Sequence, residues 1–117
     1  MVKRTTRVSE QDLDQLTALF RLLSDKTRLN ILMLLAQGER NVTSLCQELD
    51  LPQPTVSHHL GLLRMSNVIT NRRNGKQVFY SLNGRVDAGV RNALQIGVEN
   101  YAVKISGDAD MIAAQPQ

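Results

Sequence analysis

One cysteine, no tryptophan, two phenylalanines and two tyrosines among 117 residues exclude several kinds of protein at once. A single thiol, Cys46, cannot form an internal disulfide or build a multi-cysteine metal site within one chain. With aromatic side chains so scarce, the 42% of hydrophobic residues must make an aliphatic core. The longest apolar run, Ile31–Ala36, falls far short of the ~20 residues that cross a bilayer. Polar residues follow Lys3, Arg4 and Arg7 where a signal peptide needs its apolar stretch, so the chain is expected to be cytoplasmic and free of membrane. No Ser/His/Asp order, phosphate-binding glycine loop or carboxylate pair is evident, and the seven glycines are scattered, so no catalytic residue and no cofactor is expected. The length suits one domain: an arm over 1–8, a folded domain over 9–105 and an aperiodic, flexible tail over 106–117.

What is present is an uneven distribution of charge. The net charge is +3, yet residues 1–52 carry seven groups of each sign and residues 86–117 are net acidic. Between them, residues 53–85 hold Arg64, Arg72, Arg73, Lys76 and Arg85 with no aspartate or glutamate. A stretch that excludes acid while its neighbours balance suits a polyanionic partner, against the plainer alternative of a solvated basic surface.

Periodicity organises the rest. Ser9 caps a helix over 10–23 with Leu13, Leu16, Phe20 and Leu23 at three- and four-residue spacing. Ser24 or Asp25 caps a second helix, apolar enough to be central, which Gly38 ends in the left-handed region. A third runs from Val42 to Leu49 with Leu45, Cys46 and Leu49 on one face. Asp50-Leu51-Pro52 interrupts, and Pro54 suits the first turn of a fourth helix over Gln53–Met65, which buries Val56, Leu60 and Leu63. Its other face carries Gln53, Thr55, Ser57, His58 and His59. Two strands, Val68–Arg73 and Lys76–Leu82, meet in a hairpin at Asn74-Gly75. A last helix is expected over Val86–Ile105, with Val86, Val90, Leu94, Val98, Tyr101 and Ile105 as its stripe.

Helix, three-residue break, helix, then a hairpin tipped with Arg72, Arg73 and Lys76 makes a mainly α (α+β) winged helix-turn-helix of about five helices with a two-stranded β-hairpin wing. The second helix of such a pair enters the major groove of double-stranded DNA. Gln reads adenine, Ser and Thr bond to base edges of either strand, and the cations of the wing, with Arg64, suit phosphates or the minor groove. Leu13, Leu16, Phe20, Leu94, Val98 and Tyr101 are expected to form a homodimer interface. That symmetry would place two recognition helices one turn of DNA apart.

The segments LDLPQPTVSHHLGLL, VITNRRNGKQVFYSL and LSDKTRLNILMLLAQGE resemble the ArsR–SmtB family of bacterial winged-helix repressors over roughly residues 12–103. The resemblance implies a dimer on an inverted-repeat operator that releases DNA on meeting an inducer, often a metal ion. By position, Gln53, Pro54, Ser57 and His58 match the family's recognition-helix contacts, and Arg72, Arg73 and Lys76 its wing. Asp50 stands where a glycine is common. The sensing half departs further. Asn41 and Thr43 occupy the positions of the Cys-x-Cys pair of arsenic and cadmium sensors. Gly84, Val86, Gly97 and Asn100 occupy the region where other sensors carry Asp and His ligands on the last helix. No metal site is expected, because zinc keeps at least three protein ligands, and the inducer stays unnamed. Cys46 reads as a buried small hydrophobe, with a redox-responsive repressor as the alternative use of it. His59 is open between DNA and a structural position. Lys3, Arg4 and Arg7 are open between a DNA-contacting arm and a solvated terminus. A winged helix used only for protein binding is the other competing reading.

Overall fold

The fold, in a computed structural model that describes residues 7–89 and 93–107, begins with helix α1, Glu10–Leu23. Ser9 caps it by accepting the Asp12 backbone N–H at 3.0 Å. Asp25 caps α2, Lys26–Ala36, in the same way through the Arg28 N–H at 3.0 Å. Helix α2 is apolar nearly all round, and it is central: Ile31, Leu32 and Leu35 are buried, and α1, α3 and α4 all pack on it. Gly38 follows with φ +148°, a region that favours glycine although it is not the left-handed helical one. Strand β1, Arg40–Asn41, leads into α3, Val42–Leu49, and α4, Gln53–Met65, follows.

Strands β2, Ile69–Asn74, and β3, Gln77–Leu82, form the wing hairpin in the register Asn74↔Gln77 to Ile69↔Leu82. The two-residue loop is therefore Gly75-Lys76, one residue later than expected, with Gly75 at φ +65°. The wing also has a third strand, since β1 pairs antiparallel with β3 through Arg40↔Tyr80 and Asn41↔Phe79. Two residues are too few to leave a periodic signal in the sequence.

The expected last helix is absent. The described residues of this stretch form a second antiparallel sheet of β4, Val86–Ala88, β5, Leu94–Val98, and β6, Tyr101–Ile105. A spacing of four is near one helical turn, but it is also a multiple of two, so Leu94 and Val98 share a face in either structure. Ile96 decides between them: it is fully buried between Leu94 and Val98, as a strand requires, whereas a helix would turn it about 200° away from Leu94. Glu99 and Asn100 make the turn between β5 and β6, and Gly89 and Gly97 weaken a helix further. The dimer expectation changes with it. Leu94 and Val98 are 1% and 5% exposed and belong to the chain's own core. Leu13, Phe20 and Tyr101 remain exposed, and Leu16 is half-buried.

One apolar cluster joins the helices to both sheets. The turn after β5 is tied to α1, where Asn100 Nδ2 donates to Asp12 Oδ1 at 3.3 Å. Among the described residues no helix is long and apolar enough to cross a membrane. The arm over 1–8 and the tail over 106–117 lie almost wholly outside the described residues, as do Lys3, Arg4 and Val90.

Candidate nucleic-acid interface

The break between α3 and α4 is set by Asp50, at φ 55° and ψ 50°. Asp tolerates the left-handed region better than most residues. Its placement lets the Leu51 N–H reach the Cys46 carbonyl at 3.1 Å, closing the end of α3. Pro52 (φ −68°) then starts α4, its carbonyl accepting from the Thr55 and Val56 N–H groups at 3.1 and 3.2 Å. Pro54 sits in the first turn, where no intrahelical partner is needed for its missing N–H. Asn67 ends the following turn at φ 62°, with the Val68 N–H bonded to the Leu63 carbonyl at 3.3 Å.

Val56, Leu60 and Leu63 anchor α4 in the core. Gln53, Pro54, Ser57, His58, Gly61, Arg64 and Met65 are exposed on the remaining surface, and no carboxylate lies among them. Thr55 is half-buried. His59 turns inward: its Nδ1 lies 3.3 Å from Arg28 Nη1 and 3.8 Å from Asp25 Oδ2. The same guanidinium donates from Nε to the Leu22 carbonyl at 2.8 Å, closing the end of α1. The Asp25 carboxyl is held below the usual carboxylate range, first by the Arg28 backbone N–H, against some desolvation, and then by the charges of His59 and Arg28. His59 therefore joins α4 to the α1–α2 junction, and His58 alone of the pair faces out.

Gly61 escaped the sequence reading. It lies in the middle of α4, exposed, and a Cβ built there meets no atom within 4 Å. Glycine in a helix interior costs about 0.5–1 kcal/mol relative to alanine. Among the described residues, nothing near that position requires a glycine. The available signal was a glycine interrupting the polar face of an otherwise ordinary helix.

The wing cations divide. Arg72 makes a two-pronged bond to Glu39, Nε to Oε2 at 3.0 Å and Nη2 to Oε1 at 2.8 Å, and lies 4.8 Å over the Phe79 ring. That bond holds the Glu39 carboxyl below its ordinary range and raises the guanidinium in turn. Arg73 and Lys76 are exposed, and neither they nor Arg64 form an ion pair among the described residues. A hollow of about 170 Å³ between α4 and the wing is lined by Asn41, Thr43, Gln53, Lys76 and Gln77, with Val42 and Val78 behind them. The start of the recognition helix and the tip of the wing thus face one acid-free space. Asn41 spends its side-chain oxygen on the Ser44 N–H at 2.7 Å, capping α3, while Thr43 is exposed. Cys46 is half-buried against the core.

This architecture matches known proteins. Residues 25–71, from the cap of α2 into β2, fit the model of "bacterial regulatory protein, arsR family". The chain is 46% identical over 71 residues to the arsenical resistance operon repressor of Escherichia coli, a match spanning 60% of this chain and 61% of that protein. It is 39% identical over 85 residues to the biofilm growth-associated repressor of Xylella fastidiosa, covering 73% and 75% of the two chains. Among solved structures, the homodimeric winged helix-turn-helix DNA-binding domain of a possible ArsR-family transcriptional regulator from Mycobacterium bovis superposes with a TM-score of 0.60. That likeness is 32% identical in sequence and covers 72% of this chain and 77% of the other. A helix-turn-helix with its wing, and relatives matched over three quarters of their length, place this chain in the ArsR family of bacterial regulatory proteins.

Proposed function

We propose that the chain is a DNA-binding transcriptional repressor that works as a homodimer on an inverted-repeat operator. The observation that carries this reading is the acid-free face of α4, whose Gln53 shares one hollow with Lys76 of the wing, a cation without an ion pair among the described residues. Gln53, Thr55, Ser57 and His58 read base edges in the major groove, Pro54 packs beside them, and Arg64, Arg73 and Lys76 hold phosphates. His59 and Arg72 act from behind, by fixing the helix and the wing. Leu13 and Phe20, seven residues apart and exposed on one side of α1, suit contact with a second copy, with Leu16 between them and Tyr101 as a further exposed apolar group. The relatives' names favour repression over activation.

The residues at the positions of the family's cysteine pair do not fit a thiophilic metal. Asn41 is committed to its cap, Thr43 offers a neutral hydroxyl, and Cys46 faces the core. Release from DNA is therefore assigned to something other than a metal held there. Footprinting on the chain's own upstream DNA tests the main reading, with two classes of variant. Gln53→Ala or Ser57→Ala relaxes base preference at a cost of about 1–3 kcal/mol per half-site. Arg73→Ala or Lys76→Ala weakens all duplexes alike and flattens the salt dependence. Equal loss of selectivity in both classes, or a sedimenting monomer at tens of micromolar, refutes it.

A further inference from the structure

On the other side of α1 from Leu13 and Phe20 lies a cleft of about 350 Å³. Successive residues of a helix are turned by about 100°, which sets Gln15, Ala18, Leu19 and Leu22 together and away from the exposed apolar stripe. These four form one wall. Val98 and Glu99 from the end of β5, Arg85 from the loop before β4, and Ser66 at the end of α4 complete it. Leu19 and Val98 are 4% and 5% exposed and give the cleft an apolar floor.

Its two charged residues are unpaired. Arg85 and Glu99 line the same cavity, yet among the described residues neither makes an ion pair with the other or with any group. Arg85 is the one cation of the acid-free stretch 53–85 that faces this cleft. Its backbone is fixed, because the Arg85 carbonyl accepts the Gly97 N–H at 2.9 Å. Glu99 is held at φ 49°, a conformation that glycine or asparagine adopts at lower cost. The adjacent Asn100 is bonded to Asp12 of α1.

We infer that this cleft binds a small zwitterionic organic molecule with an apolar body, its anionic group on Arg85 and its cationic group on Glu99. Both side chains are exposed at the rim, so a ligand with both charges pairs with each of them, whereas a fatty acid or a simple amine pairs with only one. Ser66 follows the last turn of α4, and its hydroxyl donates to the Leu62 carbonyl at 3.0 Å. An occupant therefore touches the far end of the recognition helix, and the cleft is a site for an organic inducer. This last step alone rests on the repressor reading.

The test separates binding from regulation. Without DNA, 4-aminobutanoate, 6-aminohexanoate and 8-aminooctanoate are titrated by calorimetry and amide NMR, with hexanoate and hexylamine as single-ended probes. Saturable binding of at least one ω-amino acid at on the order of 1 mM or tighter is expected, with shifts at Gly97 and Glu99. Arg85→Gln and Glu99→Gln should each weaken it about tenfold or more, while both variants keep the fold by circular dichroism. No binding by any of the three, equal binding of hexanoate, or indifference to Glu99→Gln overturns the site. The bound compound is then added to protein on operator DNA. Binding without DNA release refutes only the inducer role, and absence of DNA binding in the free protein refutes the repressor reading instead.

Discussion

Gly61→Ala should make the protein more stable and worse at its task. In the folded state the new methyl enters open space, so no steric cost offsets the gain in helix propensity. The expected gain is about 0.5–1 kcal/mol, arising mainly from the smaller conformational freedom of the unfolded chain. For a domain of this size that raises the melting temperature by about 2–4 °C. On DNA the same methyl stands on the face between His58 and Arg64. If the α4 backbone rests against the groove there, the methyl overpacks a tight contact at a cost of about 1–3 kcal/mol per half-site. Thermal unfolding by circular dichroism and operator binding by fluorescence anisotropy, on the same preparations, give the two signs. Unchanged operator affinity in a stabilised variant would refute the argument that an outside partner explains this glycine. A destabilised variant would refute the geometry, because it would mean that position 61 has no free space.

Glu39→Gln releases Arg72 from its carboxylate, so affinity for random duplex should rise and the salt slope steepen by about 0.9 per protomer; a fall in affinity would instead make the ion pair necessary for shaping the wing. Glu39 should titrate below the ordinary glutamate range, and Arg72→Ala should return it there, as followed by carboxyl carbon NMR. Because its folded pKa is depressed, the pair stabilises the fold above the unfolded value, and that contribution is lost as pH falls through the lower folded one. Leu60→Ala, at a position 1% exposed, should cost about 2–5 kcal/mol in urea unfolding and destabilise the recognition helix with it. Ile96→Asp should unfold the second sheet while Gln95→Asp is tolerated, since Ile96 is buried and Gln95 exposed; equal tolerance would restore the helical reading of this segment.

The first four helices were legible in the sequence because two independent signals agreed at each. Apolar residues recur at three and four, and a residue suited to ending or starting a helix stands at each boundary: Ser9, Asp25, Asn41 and Asp50. In residues 86–105 the signals conflicted. The spacing of four fitted a helix and a strand equally, while Ile96, Gly97 and the Glu99-Asn100 turn argued for strands. Side-chain commitments were less legible still. Arg72 finds Glu39 33 residues away, and His59 finds Arg28 31 residues away. Local patterns place such groups on an element but do not reveal a partner that only the tertiary fold brings near. Both could be read from sequence as DNA contacts because both sit on elements expected to meet DNA.

These commitments change what the basic segment can do. Counted in sequence, five cations of residues 53–85 are available to DNA. In the fold Arg72 is paired with Glu39 and Arg85 lines the cleft beside α1. Arg64, Arg73 and Lys76 remain, exposed and without ion pairs among the described residues. A dimer using these three from each copy should lose operator affinity with salt at a slope of about −5, against about −9 if all five engaged phosphates. The difference bears on regulation as well as affinity. On the proposed reading, fewer phosphate contacts leave a larger share of binding to Gln53, Ser57 and His58, whose base contacts would require a particular setting of α4. A change at Ser66 that reoriented α4 would cost little on random DNA and much on the operator. Inducer-linked release should therefore be far larger on operator than on random duplex, and equal release from both would indicate that the effector acts on charge rather than on helix orientation.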